Sequence, residues 1–246
     1  MLVYGSYNTG FRSGNFNGRA ANPLGIGPSD PERVESFEAG LKTTFWNRRG
    51  RFNVTLFRSS YDDIQQVITN QQAIQTIVNA ASATIQGVEI EGSLRPATGL
   101  QFDVAFGYTD AEYDEFVGLD LTGDGVPDPD LARQLRFQRV PKYTFTGAAS
   151  YEFDLGDLGG LTARASYSWR SRLFTDLVNT PQLVVPATGV WDASLSWEPT
   201  DNWRVTAFAR NLGNENYWDL GLALPFGFIA YGGEPRTYGI EAAYRF

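Results

Sequence analysis

Hydrophobic and polar residues alternate along this chain, most clearly in its last ten residues, 237–246. The even positions from Tyr238 to Phe246 are aromatic or apolar, and the odd positions are small or polar, as at Glu241 and Arg245. Successive side chains of a β-strand point to opposite faces, so the segment predicts a strand with one apolar and one polar face. Rings that face an apolar medium and charges that face water are typical of a membrane β-barrel.

The same alternation recurs in runs of about 8–12 residues, the length of a tilted membrane strand rather than the ~5–6 residues of soluble sheets. It predicts ten strands, at 2–9, 32–46, 51–67, 83–95, 99–112, 139–154, 160–173, 187–198, 202–212 and 236–246. No apolar stripe repeats with a helical period over three turns. The chain is therefore predicted to be all-β.

The connections between these strands alternate between short and long. Tight turns rich in Gly, Pro, Asn and Asp are predicted at 47–50, 96–99, 154–159 and 198–201. Long connections are predicted at 10–31, 68–82, 113–138, 174–186 and 213–235. Short periplasmic turns and long extracellular loops characterise an antiparallel transmembrane β-barrel. We therefore expect residues 1–246 to form one such unit, without a second domain.

Composition supports this interpretation and excludes several partners. The chain has 12 Tyr, 17 Phe and 6 Trp but a mean hydropathy of −0.28, as expected when aromatic girdles surround a wet interior. A soluble β-sandwich rich in Tyr and Trp remains an alternative. The net charge of −8 argues against nucleic acid as a partner, and with 0 Cys there is no disulfide framework.

Membrane crossing by helices is not expected, because no stretch approaches the ~20 apolar residues that a spanning helix needs. Only a closed barrel could then cross a bilayer. Charged residues at strand positions that share one face, such as Glu38 with Lys42 and Glu89 with Glu91, would face a wet lumen. The chain starts on a predicted strand with no visible signal peptide, so we expect that it is either not exported or part of something longer.

Six segments resemble the later barrel of TonB-dependent outer-membrane receptors, in that family's order and spacing. They are 4–15, 31–42, 85–91, 140–145, 209–217 and 235–246. The resemblance implies a plugged, 22-stranded type of barrel, of which this chain supplies about ten C-terminal strands. It also implies that the plug, the short box that engages the energy-transducing TonB system, and the first half of the barrel are absent here.

The function that the resemblance implies is import of a scarce ligand across the outer membrane of a Gram-negative bacterium. The ligand would be a small chelate or glycan, such as a ferric siderophore, with energy transmitted only through the missing plug. Outer-membrane lipid and the barrel-assembly machinery would be further partners. A passive porin-like barrel and a soluble carbohydrate-binding β-sandwich stay open as alternatives.

Two groups of loop residues are candidates for ligand contact. They are Arg12, Asn15 and Asn17 in the first long loop, and Trp218, Phe226, Phe228 and Tyr231 in the last. The polar group could hydrogen-bond an anionic chelate, and the rings could hold an apolar ligand face. Both groups would also suit loop packing or an aromatic belt.

The final strand resembles the C-terminal signal that the barrel-assembly machinery recognises. Its apolar side chains would carry that signal: Tyr238, Ile240, Tyr244 and Phe246. Such a strand offers free backbone ladder groups beside rings that suit a bilayer. The alternative is an ordinary strand that ends the chain.

The segment 120–125 matches the opening of an EF-hand loop, with Asp120, Asp124 and Asp128 as weak calcium candidates. Position twelve is Leu131 instead of the bidentate Glu, so an acidic, turn-rich loop is the alternative. With 0 His the chain cannot build a Ser-His-Asp triad or a His metal centre. We expect no enzyme activity and no cofactor.

Overall fold

The computed structural model describes residues 1–18, 20, 23–69, 75–121, 124, 126–224 and 227–246. Its strands are β1 (Leu2–Arg12), β2 (Glu32–Phe45), β3 (Gly50–Thr69), β4 (Gln75–Ala97), β5 (Leu100–Phe116), β6 (Tyr143–Asp154), β7 (Gly160–Arg170), β8 (Leu173–Phe174), β9 (Val184–Val185), β10 (Thr188–Thr200), β11 (Trp203–Arg210), β12 (Trp218–Leu224), β13 (Gly227–Gly232) and β14 (Thr237–Tyr244). Short 3₁₀ turns lie at Pro23–Gly25, Gly156–Leu158 and Pro181–Leu183. In the described part of the chain, no helix is long and apolar enough to cross a membrane.

Ten of the described strands form one sheet, ordered β1-β2-β3-β4-β5-β6-β7-β10-β11-β14, and every neighbouring pair is antiparallel. The remaining four form two small hairpins, β8–β9 and β12–β13, inside long loops. The prediction of an all-β chain with ten main strands is confirmed. The strands differ in length from the prediction, because β3 and β4 continue into the segment 68–82 and β6 begins only at Tyr143.

The register gives the sheet two chemically different faces. Paired residues of an antiparallel ladder lie on the same face, so linked pairs trace one row across several strands. One row runs through Val3, Leu41, Val54, Ile90, Phe106, Phe145 and Trp169. A row on the other side runs through Lys42, Asn53, Glu91, Ala105, Thr146 and Ser168. We call these sides the apolar face and the polar face.

The apolar face is left uncovered by the described residues. Leu56, Trp191 and Ile240 lie on it with 54%, 51% and 77% of their surface exposed. Soluble monomers rarely expose contiguous apolar patches of more than a few hundred Å². A soluble sandwich would bury this face against a second sheet, whereas lipid would cover it without one.

Charges and hydrogen bonds occupy the polar face, as the alternation predicts. The Tyr4 hydroxyl donates to Glu38 at 2.7 Å and lies 3.1 Å from the Thr55 hydroxyl, while Asn53 donates to Glu91 at 3.2 Å. The Tyr4 ring also lies over Gly40, where an added Cβ would clash with it. A side chain at position 40 would therefore displace the ring that makes these bonds.

The buried core of the molecule lies at the end of the sheet that carries the long loops, the loop end. There loop 117–142 packs on the extended parts of β3, β4 and β5. Phe116 and Leu135 are almost completely buried, and the Tyr113 ring stacks on Phe137 with centroids 4.2 Å apart. Tyr113 pairs with Ala83 on the polar face, so this loop folds inward over that face.

Candidate functional site

A chamber of about 410 Å³ lies on the polar face at the loop end, beneath loop 211–236. Strands β6, β7, β10 and β11 form its floor. Its polar lining includes Thr144, Ser168, Arg170, Asp192, Arg210, Asn211, Tyr217, Asp219 and Glu234. Two guanidinium groups, three carboxylates and a phenol can bind a ligand that carries both negative charge and hydrogen-bond donors.

Asn211 fixes the base of loop 211–236. Its buried side-chain amide donates to the Glu215 and Glu234 carbonyls at 2.8 and 3.0 Å, and its Oδ1 accepts from the Glu215 amide at 2.8 Å. Its own backbone amide donates to Asp192 on β10 at 2.9 Å. One side chain thus joins both ends of the loop, and the backbone φ of 48° at this residue is one that Asn tolerates.

The two arginines of the chamber have different environments. Arg170 donates to the Asp219 carboxylate at 2.5 Å and to the Trp218 carbonyl at 3.4 Å, which ties β7 to the loop. Arg210 lies with its guanidinium carbon 5.5 Å from the Phe208 ring centroid. It makes no ion pair with any described residue, so it is the cation of the chamber that can bind an anion without losing a carboxylate partner.

The neighbouring long loops are joined to each other above the polar face. Asn179 in loop 171–187 accepts from the Arg136 amide at 2.5 Å and donates to the Arg136 carbonyl at 2.9 Å. Loop 171–187 also packs on loop 211–236, since a Cβ added at buried Gly221 would come within 2.7 Å of Leu183. Three long loops therefore form one connected cover beside the chamber.

The first group of predicted contact residues lies far from the chamber in strand order, at the β1 edge of the sheet. Arg12 is exposed and pairs with Glu32. Asn15 bonds with Ser29 through its backbone, and its Oδ1 accepts from the Phe16 amide at 2.8 Å. Asn17 is buried and donates to the Gly25 carbonyl at 3.1 Å. Both asparagines shape their own loop, and ligand contact by this group stays a prediction.

The second predicted group lies on the β12–β13 hairpin, which covers the chamber. Trp218 pairs with Gly232, and Phe228 and Tyr231 are 54% and 51% exposed. Three positions separate Phe228 from Tyr231 on one strand, so their rings point to opposite sides of the hairpin. Phe226 lies outside the described residues. Contact of these rings with a ligand stays a prediction, and Phe228 and Tyr231 do not share one side of the hairpin.

The weak calcium candidates make hydrogen bonds within their loop. Asp124 accepts from the Val126 amide at 2.9 Å, and Asp128 accepts from the Leu121 amide at 2.5 Å. Asp120 is half-buried. Over the described residues, no group of three or more acidic side chains is gathered in a way that could hold a metal ion. Calcium binding by this loop therefore stays a prediction.

The final strand has the face predicted for an assembly signal. Tyr238, Ile240 and Tyr244 pair with Ala209, Ala207 and Trp203 on the apolar face, and Phe246 follows fully exposed. The Tyr244 ring lies 5.0 Å from Trp203 and 5.2 Å from Phe246 between centroids. Strand β14 is also an edge of the sheet. Recognition by the assembly machinery stays a prediction.

The residues that line the chamber are not among the site residues predicted from the sequence. Arg170, Asp192 and Asp219 come from different strands and a loop, and only the strand order brings them together. The strand residues among them share one feature that the sequence pattern does contain. Each lies on the polar face, at the end of its strand that leads into a long loop.

Comparisons with known proteins agree on one class. A family model described as TonB dependent receptor-like, beta-barrel matches residues 1–212. The pesticin receptor of Yersinia pestis is 24% identical over 241 residues, which are 97% of this chain and 33% of that protein.

Two solved structures have the same fold over nearly the whole chain. The ferric yersiniabactin uptake receptor FyuA from Yersinia pestis has a TM-score of 0.81 at 22% identity, covering 99% of this chain and 35% of that one. The siderophore receptor PiuA from Acinetobacter baumannii has a TM-score of 0.75 at 20% identity, covering 98% and 33%. The chain spans about a third of the length of these relatives.

Proposed function

Since the chain belongs to the TonB-dependent receptor-like β-barrel family, we propose that it forms the C-terminal wall of a receptor that imports a scarce ligand, such as a ferric siderophore. Members of this family are receptors of the Gram-negative outer membrane and not enzymes, and the chain lies in that membrane. The apolar face then meets lipid, the polar face lines the lumen, and the loop end is extracellular.

The observation that carries the proposal is the chamber beneath loop 211–236. It lies on the lumenal face at the extracellular end, where an incoming ligand arrives first. Arg210 supplies a cation that makes no ion pair with any described residue, whereas Arg170 is paired with Asp219, so Arg210 is the group of the chamber that suits an anionic chelate. The solved relatives named for ferric yersiniabactin uptake and for siderophore reception support this ligand class.

The proposal also assigns partners to the remaining surfaces. Residues 1–246 act as one barrel unit, and a plug supplied by sequence outside them docks on the polar face. The TonB system acts through that plug. The barrel-assembly machinery reads the last strand, and outer-membrane lipid covers the apolar face.

The test uses an iron-starved strain in which the gene is deleted and then restored. Growth is measured on a panel of ferric siderophores, each as the only iron source. Restored growth on one chelate identifies the ligand, and unchanged growth on every chelate, cobalamin and glycan tried would count against import.

A matched pair of variants then tests the chamber. Arg210→Gln should weaken binding of the identified chelate about tenfold, because a hydrogen bond to a charged group contributes about 1.5–3 kcal/mol. Arg204→Gln, on the same strand and face but paired with Glu198 near the periplasmic turns, should bind normally. Equal losses in the two variants would contradict the assignment of the chamber.

The alternative is a passive, porin-like barrel, which predicts a lumen open to ions. Planar-bilayer conductance of the full-length gene product distinguishes the two functions. A receptor should pass no steady current, and a large constant conductance would favour the porin.

A further inference from the structure

The charges in the chamber beneath loop 211–236 do not balance. Its charged lining consists of two guanidinium groups and three carboxylates, from Arg170, Arg210, Asp192, Asp219 and Glu234. The other polar groups of the lining, such as the Thr144 and Ser168 hydroxyls, are neutral. Since a cleft whose charges do not cancel favours ligands of the opposite sign, the surplus carboxylate restricts the charge that a ligand can carry into this chamber.

One of the two cations is already paired inside the protein. Arg170 donates to the Asp219 carboxylate at 2.5 Å and to the Trp218 carbonyl at 3.4 Å, and 29% of its side chain is exposed. A ligand anion that took over Arg170 would leave Asp219 without this partner and would release the β12–β13 hairpin from β7. Arg210 is therefore the cation that the chamber offers to a ligand, because it makes no ion pair with any described residue.

Arg210 is positioned by an aromatic ring on its own strand. Its guanidinium carbon lies 5.5 Å from the Phe208 ring centroid. The Phe208 ring in turn lies over its paired residue Gly239, where an added Cβ would come within 2.9 Å of the ring. A guanidinium that lies over a ring keeps its in-plane N–H groups for a two-pronged hydrogen bond to one carboxylate or similar anion. The chamber thus provides for one anionic group of a ligand.

Two carboxylates of the chamber remain for hydrogen-bond donors of the ligand. Asp192 is half-buried and accepts from the Asn211 amide at 2.9 Å. Glu234 is exposed and makes no ion pair with any described residue. Loop 211–236 does not compensate for these groups, since its sequence holds three carboxylates and only Arg236 as a cation. Ionised carboxylates accept hydrogen bonds only, so they favour an ammonium or a hydroxyl of the ligand.

We propose that the chamber selects a ferric chelate of low net charge, with one anionic group for Arg210 and an ammonium or hydroxyl for Asp192 and Glu234, and that it rejects multiply negative chelates. This inference rests on the proposed import function and adds the charge class of the ligand. A triply negative chelate would bring more negative charge than Arg210 can neutralise into a site that already has a surplus carboxylate. Like charges placed together in this way oppose binding.

The first test sorts the panel of ferric siderophores by the net charge of each chelate at neutral pH. The deletion strain that carries the restored full-length gene should grow on chelates that are neutral or carry a single charge, and not on ferric tris-catecholates, which are triply negative. Growth on tris-catecholates that equals growth on the other chelates would overturn the charge class and leave import intact. Growth on no chelate would instead contradict siderophore import itself, and this inference with it.

The second test removes negative charge from the chamber and expects a gain of binding, which unfolding cannot produce. Glu234→Gln should raise the affinity for a ferric tris-catecholate, relative to that for the chelate identified by growth, about fivefold. Adding Asp192→Asn should raise this ratio further, and its amide oxygen can still accept from Asn211. Titration of the full-length gene product in detergent measures both affinities.

Glu241→Gln is the matched control for the charge change. Glu241 is exposed and pairs with Thr206 on the polar face, but it lies outside the chamber lining. Its variant should keep the affinity ratio of the parent. An equal rise in Glu241→Gln and Glu234→Gln would assign the effect to the overall charge of the wall, and no rise in Glu234→Gln would show that the chamber carboxylates do not select the ligand. Either result would overturn the proposal.

Discussion

Tyr4 and Tyr7 lie on the same strand, β1, and point to opposite faces of the sheet. The Tyr4 hydroxyl donates to Glu38 at 2.7 Å on the polar face. The Tyr7 ring packs against Phe37 on the apolar face with centroids 4.7 Å apart, and Tyr7 is 53% exposed. Within three residues the same side-chain type thus lies once on the polar face and once on the apolar face, because successive side chains of a strand point to opposite faces. The described strands form a single-layered sheet, so the even or odd position of a residue along its strand decides which face its side chain occupies.

A charge introduced on β10 should change the stability of the barrel very differently on the two faces. Leu195→Arg places a cation on the apolar face and should destabilise the barrel by about 2–4 kcal/mol near the midplane. Ser196→Arg, the next residue, places it on the polar face and should change stability little. Urea titration of the full-length gene product in lipid vesicles measures both. Similar losses for the two variants would contradict the assignment of the faces.

Position parity also explains why so much of the fold was predictable from sequence. Alternation identified the ten main strands, the polar setting of Glu38 and Glu91, and the apolar setting of Tyr238, because all three follow from local backbone geometry. The chamber was not predictable in this way. Arg170 and Asp219 meet only because loop 211–236 folds back over β7, a long-range contact that leaves no periodic signal.

The hydrogen bonds within the long loops could not be predicted from the sequence either. Asn17 carries the polar type expected of a ligand contact, yet it is buried and bonds within its own loop. Asn211 was part of a recognised segment, but its role in closing a loop depends on carbonyls at Glu215 and Glu234. Residue type alone does not separate an asparagine that binds a ligand from one that holds the backbone.

The loop role of Asn211 gives a second prediction. Asn211→Ala removes three hydrogen bonds of a buried side chain and should lower the free energy of opening loop 211–236 by about 1–3 kcal/mol. Asn214→Ala is the matched control, because Asn214 shares the loop and a positive φ of 53° but is exposed. Amide hydrogen exchange across 211–236 compares them. Equal loosening in both variants would assign the effect to backbone strain instead.

A third prediction concerns pH and the cover formed by loop 117–142. The Ala132 and Phe116 amides donate to Asp130 at 2.9 and 3.0 Å and hold the pKa of that carboxyl below its ordinary value of 3.8. Because the folded pKa is lowered, these bonds stabilise the loop fully above the ordinary pKa. The contribution is lost as pH falls through the lowered folded value.

Amide exchange of Ala132 and Phe116, corrected for the intrinsic effect of pH, should therefore stay constant from neutral pH down to about 4 and rise below it. Asp130→Asn keeps an acceptor oxygen that does not titrate in this range. Amide exchange of Ala132 and Phe116 in this variant should therefore not show the rise below pH about 4 that we expect in the parent. An identical acid response in the parent and the variant would show that another group controls the loop.

Site-specific accessibility tests the central claim most directly, and the chain allows it because it contains 0 Cys. Single cysteines at the paired positions Leu195 and Ala207, and at the paired positions Ser196 and Thr206, are introduced into the full-length gene product in intact outer membranes. We expect the cysteines at 195 and 207 to be accessible to lipid-soluble probes and to resist a water-soluble thiol reagent. The cysteines at 196 and 206 should react with the water-soluble reagent and be inaccessible to the lipid-soluble probes. Uniform labelling of all four positions, or a reversed pattern, would contradict a wall with lipid on one face and water on the other.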